Sequence, residues 1–363
     1  MRSTEMTPKQ QTGFSLVELM VALTLSLILI GGVLTLVYSS KVTYLENERV
    51  AGTQEGGRAA FEMILRDLRG SGFSGCARPV AGLVSSVNRL TGSASLLWAL
   101  DVPLQGYEGT SGTFAPALDP VLTGAMPPPS TKNDIIVVRT MRAGLPQMRT
   151  SILANPGDAV ITVAKSVGQR AVSGTFVISD CVNQRFFAAT ATDNGATATL
   201  TKTAAPAVPS NQSTDLQALF AVGSVVTPVD TVIYYIAPSA TTTAVQAGVP
   251  VAAPALWRIV SSNGAQPEEL IPGVERMELQ YGVDTDENGT VDEYDDANTV
   301  DVAGNWGNVV SVRVAILVRS LQANSPEVDS KKYTLLNTTL PAFMDHYERS
   351  VYTTTITLRN NTP

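Results

Sequence analysis

The chain has 363 residues, of which 44% are hydrophobic and only 16% are charged, so it has enough apolar side chains for a large core. Its net charge of -7 disfavours nucleic-acid binding, which needs a basic surface to displace the counterions of phosphate groups. His346 is the only histidine, and the sequence has no P-loop, zinc signature or Cys-x-x-Cys pair. We therefore expect neither an enzyme nor an organic cofactor.

The N-terminal region is long enough and apolar enough to cross a membrane. Residues 14–38 are almost entirely apolar, and Glu18 is the only charged residue between Phe14 and Lys41. About 25 residues suffice to span a bilayer as a helix, whereas the apolar part of a cleaved secretory signal is about 7–15 residues long. An ionised carboxylate within a span costs on the order of 3 kcal/mol, so Glu18 is expected to have a specific partner. A plain signal anchor with Glu18 near the lipid headgroups is the alternative.

The orientation of the span follows from the charges before it. Arg2 and Lys9 precede the apolar segment, and positively charged residues favour the cytoplasmic side of a membrane. The N-terminus is therefore expected in the cytoplasm. The chain after about Ser40 is expected outside the inner membrane, in the periplasm or beyond it.

Helical patterning continues beyond the apolar segment, without a proline, over residues 41–69. Near its end, apolar residues recur at the spacing of one helix face. These residues are Phe61, Ile64, Leu65 and Leu68. The glycines of Gly70-Ser71-Gly72 are expected to end the helix.

From about Asp134 onward the sequence changes to short β-rich segments separated by turn residues. Segment 309–319 alternates apolar and polar residues, which is typical of an antiparallel strand with one covered face. Residues 76–129 are predicted to be an irregular connection with short elements, and residues 204–213 and 238–254 to be exposed loops or an insertion boundary. The predicted class is α+β, a long N-terminal helix with a large head dominated by antiparallel sheet. The predicted strands are 135–140, 159–164, 175–179, 185–190, 197–201, 231–236, 256–261, 274–283, 309–319 and 351–359.

An acidic segment at 284–295 has the spacing of a calcium-binding loop. Oxygen-bearing side chains fall at positions 1, 3, 5, 9 and 12, and a glycine at position 6 permits the sharp turn, close to the EF-hand pattern. Aspartate replaces the usual glutamate at position 12, as in dockerin-type loops. The flanking segments have β patterning, so we predict a calcium-stabilised connection between strands, with a solvated acidic hairpin as the alternative. The candidate ligands for Ca2+ are Asp284, Asp286, Asn288, Thr290, Asp292 and Asp295.

Cys76 and Cys181 are the only cysteines of the chain. Because the predicted topology places them in an oxidising compartment, a disulfide between them is expected. Closing a loop of about 100 residues contributes up to about 4.7 kcal/mol in the chain-entropy description. Two free buried thiols are the alternative.

Motifs at both ends of the chain resemble those of a known family. Residues 13–19, Gly-Phe-Ser-Leu-Val-Glu-Leu, match the prepilin motif of type IV pilins and type II secretion pseudopilins. Together with residues 66–69, 72–76, 281–284 and 349–360, this start resembles PilW-type minor pilins of type IV pili. Residues 83–272 carry none of these motifs.

The resemblance implies how the N-terminus is processed. A membrane peptidase is expected to cut after Gly13 and to methylate the new amino terminus on Phe14. Glu18 then becomes the fifth residue of the mature chain and is expected to neutralise the N-terminal amine of a neighbouring subunit. A buried carboxylate and a buried ammonium are each costly alone and tolerable as a pair.

The resemblance also implies the domain organisation and the function. The expected parts are a leader at 1–13, a membrane and filament-core helix at 14–40, its amphipathic continuation at 41–70 and a periplasmic head at 71–363. The protein is expected to act with other minor pilins and the major pilin, the prepilin peptidase and the inner-membrane assembly platform. Its expected role is priming and assembly of type IV pili at or near the tip, first in the inner membrane and then in the surface fibre. The alternative is a J-like pseudopilin that caps the short fibre of type II secretion.

Overall fold

The chain divides into two compact units, Met1–Ala51 and Gly52–Pro363. The described part of the first unit consists of Gly13, Ser15 and the beginning of one long helix. The second unit, called the head below, contains the end of that helix and the described strands. The computed structural model describes residues 13, 15–73, 75, 85–110, 112–166, 168–204, 209–246, 249–323 and 325–360.

The predicted N-terminal helix is confirmed, and it is continuous. Helix α1 ends one residue before Gly70, and Gly72 has a φ of 69°, a left-handed conformation that favours glycine after a helix. The helices are α1 Leu16–Arg69, α2 Pro120–Thr123 and α3 Ala297–Ala303, with 3-10 turns at Ser261–Asn263 and Asn305–Asn308.

The head is built mainly from strands. In chain order these are β1 Ser85–Asn88, β2 Leu104–Thr110, β3 Thr113–Ala115, β4 Ile135–Met141, β5 Met148–Thr150, β6 Val160–Ala164, β7 Gly174–Ser179, β8 Asn183–Asn194 and β9 Thr197–Lys202. They continue with β10 Val225–Gln246, β11 Val249–Val260, β12 Pro267–Pro272, β13 Val274–Val283, β14 Glu293–Asp295, β15 Val309–Arg319, β16 Tyr333–Leu335, β17 Thr338–Leu340 and β18 Arg349–Thr357.

The described strands form one large sheet, one smaller sheet and a hairpin. The large sheet runs β1-β8-β9-β6-β5-β10-β4-β2-β3, with β7 paired to β8 and β10, and with β11 paired to β10 and β12. The smaller sheet has the order β14-β13-β15-β18, and β16 pairs with β17. Strand β1 pairs with β8 in parallel, and the other strand pairs in the described part of the chain are antiparallel. The predicted α+β class with a dominant antiparallel sheet is confirmed.

The last turns of α1 lie in the main core of the head. Ile64 and Leu68 are fully buried there, together with Tyr234 of the large sheet and Val314 of the smaller sheet. The other predicted face residues of the helix, Phe61 and Leu65, are only partly buried against this core. The buried residues of α1 recur three or four positions apart, as expected of one helix face: Thr53, Gly57, Ala60, Ile64, Asp67 and Leu68.

The large sheet is covered on both faces. Ile136 and Val138 of β4 point into the main core, whereas Ile135 and Val137 point into a second core that contains Trp257. Strands β5 to β10 enclose a separate cluster centred on aromatic and aliphatic side chains such as Phe176 and Phe187.

The prediction that one face of segment 309–319 is exposed was wrong. Its bounds are confirmed by β15, and Val314 and Ile316 face the main core as expected. On the opposite face, however, Ala315 and Leu317 are also fully buried. They pack against the β16–β17 hairpin, which the sequence did not predict, because its strands have only three residues each.

Segment 238–254 was predicted to be an exposed loop or an insertion boundary, and the prediction of an exposed loop was wrong. In the structure it extends β10 and β11, which pair from Val232 with Val260 to Gln246 with Val249. The Glu269 carboxylate accepts hydrogen bonds from the Ser239 hydroxyl and the Ala240 N–H at 2.5 and 2.8 Å. Proline and, to a lesser degree, alanine are depleted in strands, but strand pairing and this carboxylate hold the segment in the sheet.

Gly57 allows β18 to approach α1 closely. A Cβ atom at this position would overlap the ring of Tyr352, whose hydroxyl lies 3.4 Å from the carbonyl oxygen of Thr53. The ring of Tyr352 also lies beside that of Phe61, with centroids 6.4 Å apart. A glycine inside this helix is therefore a packing requirement.

We predict that Gly57→Ala lowers the free energy of unfolding by about 1–3 kcal/mol, because the new methyl group displaces Tyr352. Gly52→Ala is the matched control, since a Cβ there meets no atom within 4 Å and alanine favours the helix by up to about 1 kcal/mol. Denaturant unfolding of the purified full-length chain in detergent measures both. Equal effects of the two substitutions on the free energy of unfolding would contradict the packing role of Gly57. Adding Tyr352→Leu to Gly57→Ala is expected to restore part of the lost stability, because the smaller side chain leaves room for the new methyl group.

Candidate functional site

The first part of α1 carries large apolar side chains on every side. Leu16, Ile28 and Tyr38 are each more than 70% exposed. Among the described residues, α1 is the one helix with the length and composition to cross a membrane. An apolar surface of this size is expected to be covered by lipid or by other protein, because it is not stable in water.

Glu18 lies in the first turn of this helix. The backbone N–H of Ser15, the residue before the helix, points to Oε2 of Glu18 at 3.4 Å. Ser-x-x-Glu at this position is the capping-box sequence, in which the glutamate satisfies an N–H that has no partner in the helix. Glu18 is exposed, and with Val17, Val21 and Leu25 it lines a shallow recess on the helix surface. The carboxylate therefore stays accessible to a cation from a neighbouring chain.

The predicted processing site is described only in part. Gly13 is exposed and precedes the helix. Phe14 and the leader residues 1–12 lie outside the described residues. Cleavage after Gly13 and methylation of Phe14 stay predictions.

A buried hydrogen bond ties the end of α1 to the large sheet. The hydroxyl of Tyr234 on β10 donates to Oδ2 of Asp67 at 2.7 Å, and both residues are buried. Burial, followed by the nearby Asp67 carboxylate, raises the pKa of the Tyr234 hydroxyl well above its usual value. The hydroxyl thus remains a donor at physiological pH. Hydrogen bonds to a charged group in such surroundings stabilise by about 1.5–3 kcal/mol.

Arg349 organises the C-terminal part of the head. Its side chain is fully buried and forms ion pairs with Glu275 at 2.7 Å, Asp329 at 2.9 Å and Asp345 at 2.6 Å. The guanidinium also lies over the ring of Phe343, 3.8 Å from its centroid. Burial alone would lower the pKa of Arg349, but the hydrogen bonds to these carboxylates raise it. This network holds the segment before β18 against the smaller sheet.

The acidic segment forms the connection between β13 and β14. Val283 pairs with Glu293 and Tyr281 with Asp295, so the segment is flanked by two antiparallel strands, as predicted. Glu287 and Gly289 have φ values of 57° and 85°, and both belong to the tight turn. Glycine at position 289 adopts this conformation without strain.

Three carboxylates converge within this loop. Ligand oxygens of Asp284, Asp286 and Asp292 all lie within 4.8 Å of one another. Asp284 is almost completely buried and accepts the backbone N–H groups of Asn288 and Gly289 at 3.0 and 2.7 Å. These bonds fix the first carboxylate of the loop in place.

The other two carboxylates are exposed and held by neighbouring residues. Asp286 accepts the backbone N–H and the side-chain amide of Asn288 at 3.2 and 2.8 Å. Asp292 accepts the hydroxyl and the N–H of Thr285 at 2.6 and 2.8 Å, and these bonds lower the pKa of Asp292. Three ionised carboxylates at these separations repel each other unless a cation lies between them.

The remaining predicted ligands, Asn288, Thr290 and Asp295, are not among the three carboxylates that converge. Asn288 accepts the N–H of Thr290 at 2.8 Å, so its amide oxygen is engaged within the turn. Asp295 is the last residue of β14. The structure thus brings together Asp284, Asp286 and Asp292, a donor set of hard oxygen atoms that suits Ca2+.

The cysteine pairing stays a prediction. Cys181 lies in the turn between β7 and β8, whereas Cys76 lies outside the described residues. Peptide mapping of the non-reduced protein is expected to recover the two cysteines in one linked peptide pair, and free thiols at both positions would contradict the pairing.

Two family profiles match the chain, one at each end. Residues 233–360 match the family described as type IV pilus-assembly protein W, PilW. Residues 8–34 match the prokaryotic N-terminal methylation motif. The predicted resemblance to PilW-type pilins is confirmed. No curated protein and no solved structure matches the chain.

The two matches contain several of the residues described above. The methylation-motif match contains Gly13 and Glu18, and the PilW match contains the acidic loop, Arg349 and Tyr352. A single apolar helix with this motif fits a pilin anchored in the inner membrane. The resemblance to type IV pilins also implies contacts with other pilins and with the assembly machinery.

The residues that anchor the helix in the head, Asp67 and Tyr234, were not predicted from the sequence. Asp67 looks like an ordinary polar residue of a helix, and Tyr234 lies in an apolar strand 167 positions later. A tyrosine within a predicted buried strand was the available indication, because a buried hydroxyl needs a hydrogen-bond partner. Its partner was not predictable without the fold.

Proposed function

We propose that this protein is a minor pilin that takes part in priming and assembly of type IV pili, at or near the fibre tip. The PilW match and the methylation-motif match support the minor-pilin role. The main observation behind the proposal is that the two parts of α1 differ in burial. One part is exposed and apolar with Glu18 in its first turn, and the other part is buried in the head.

The physical basis of assembly is the exposed part of α1. Before assembly, lipid of the inner membrane covers these side chains and the head lies in the periplasm. In the fibre, the corresponding helices of other minor pilins and of the major pilin replace the lipid. Because lipid and neighbouring helices are about equally apolar, packing and polar contacts decide the transfer.

Glu18 supplies the polar contact. Its carboxylate is costly in the bilayer and becomes tolerable beside a cation, and the amine of a processed Phe14 on a neighbouring subunit is such a cation. The prepilin peptidase produces this amine, and the inner-membrane assembly platform brings the subunits together. This role is structural and involves no turnover of a substrate.

We predict that Glu18→Gln gives mature, membrane-inserted protein that is missing from sheared pili, because the amide keeps the size of the side chain and loses its charge. Gly13→Val is the matched control for processing, since it is expected to retain the leader. Intact-mass analysis and quantification of the protein in membranes and sheared pili measure these outcomes.

If the Glu18→Gln variant were incorporated into pili at the same level as the wild-type protein, the role of the charge would be contradicted. Normal trimming of Gly13→Val would contradict the processing site. Deletion of the protein is expected to abolish twitching motility with secretion intact. Loss of exoprotein export with intact pili would instead identify a pseudopilin of type II secretion.

We further propose that the loop at 284–295 binds Ca2+ and stabilises the head. Asp284, Asp286 and Asp292 would hold the ion, and Asn288, Thr290 and Asp295 are the further candidate ligands. The bound charge would offset the repulsion between the carboxylates. The loop connects two strands of the smaller sheet, so its order affects the pairing of β13 with β14.

We predict that millimolar Ca2+ raises the Tm of the full-length protein, because a ligand that binds only the folded state stabilises it by mass action. Asp286→Asn with Asp292→Asn is expected to abolish this gain, because the two amides lose the negative charges that attract the ion while the side chains keep their size. Glu287→Gln, an exposed acid in the same loop that is not among the converging groups, is the matched control. An equal gain in the double variant would reject this site.

A further inference from the structure

A cleft with a volume of about 600 Å3 opens on the head, away from the acidic loop. It lies where the segment before β2 and the turn Ser261–Asn263 meet strands β7 and β8. Its volume is within the range of about 300–1,000 Å3 that small-molecule sites occupy. Its lining combines apolar side chains with many hydroxyl groups; the residues used below are Trp98, Arg142, Ser173, Thr175 and Ser262.

The charges at this cleft are neutralised within the protein. Arg142 donates from Nη2 to Oδ1 of Asp230 at 3.0 Å and from Nε to both carboxylate oxygens at 3.1 and 3.2 Å. The two side chains are only 12% and 5% exposed. A charged ligand would therefore lose its hydration without gaining a free counter-charge, so the cleft favours a neutral ligand.

The hydroxyl groups of the lining are held in place by bonds inside the protein. Ser262 donates to Oδ2 of Asp230 at 2.8 Å, and Thr175 donates to the carbonyl oxygen of Val229 at 2.6 Å. The oxygen of the exposed Ser262 keeps a lone pair that can accept a further hydrogen bond from a ligand, whereas Thr175 is buried and holds the wall of the cleft in place. Ser173 accepts the N–H of Ala191 at 3.0 Å, so its own proton can be donated. The lining thus presents donors and acceptors in fixed positions.

Trp98 supplies a flat apolar surface among these hydroxyls. The indole is partly buried and packs against two of the hydrophobic clusters of the head, which hold it in position. A large, rigid ring of this kind contributes contact area at little cost in conformational entropy. The complementary ligand has one apolar C–H face and an edge of hydroxyl groups.

We propose that this cleft binds a neutral saccharide. A sugar ring matches both properties of the lining, because its C–H face can stack on the indole while its hydroxyls exchange hydrogen bonds with fixed serine and threonine side chains. The volume accommodates one or two rings. This activity goes beyond assembly, and most of the cleft lies outside both family matches.

The three tryptophans of the chain provide the test. Trp257 and Trp306 are only 5% and 6% exposed, so acrylamide quenching of the fluorescence reports chiefly on Trp98. The probes are glucose, galactose, mannose, N-acetylglucosamine and maltose, added to full-length protein in a detergent without a sugar headgroup. We expect at least one probe to protect Trp98 from acrylamide and to receive magnetisation from the protein in saturation-transfer NMR.

Ser262→Ala and Trp98→Phe are expected to weaken the binding of that sugar by about three- to tenfold, through one lost hydrogen bond or a smaller stacking surface. Ser93→Ala is the matched control, because Ser93 lies in the same segment as Trp98 but does not line the cleft. Circular dichroism verifies that each variant is folded. The saturation-transfer measurement applies to every variant, including the one that loses the fluorescent reporter.

Three results would overturn the proposal. The first is that none of the five sugars protects Trp98 or receives magnetisation. The second is that a sugar binds equally well to Ser262→Ala, Trp98→Phe and the control. The third is that glucuronate binds more tightly than glucose, which would show that charge and not a neutral hydroxyl pattern selects the ligand.

Discussion

The structure depends on the burial of one face of α1 in the head. Gly57, Ile64 and Leu68 on this face contact strands of both the large and the smaller sheet, and Asp67 adds a hydrogen bond to Tyr234. The same helix begins with side chains that are apolar on all sides. A single element therefore meets two environments. Its C-terminal part is stabilised by the core of the head, whereas its N-terminal part needs lipid or neighbouring helices.

The local sequence was sufficient to predict a strand where the residues of that one segment determine its structure. The bounds of β13 and β15 were predictable from local sequence between turn residues, because β15 is rich in β-branched and aliphatic residues and β13 alternates apolar with polar residues over most of its length. The strand structure of segment 238–254 was not predictable, since its proline and alanine residues are depleted in strands and the segment depends on its partner strand and on Glu269. The second covered face of β15 likewise depends on the β16–β17 hairpin, whose three-residue strands are too short to give a pattern of their own.

The candidate sites also differ in whether their residues come from one short segment or from distant parts of the chain. Gly13, Phe14 and Glu18 form a continuous motif, so the processing and docking predictions need no tertiary structure. The converging carboxylates of the acidic loop also come from one short segment. In contrast, the Arg349 network and the cleft at Trp98 join residues from distant parts of the chain, and no local pattern identifies such contacts.

We propose that other pilins cover the exposed part of α1 in the fibre. N-terminal mass spectrometry of the protein recovered from sheared pili tests this claim most directly, because it reports processing and incorporation together. We predict a peptide that begins with methylated Phe14 in the pilus fraction. Protein found only in membranes, with residues 1–13 still attached, would contradict it.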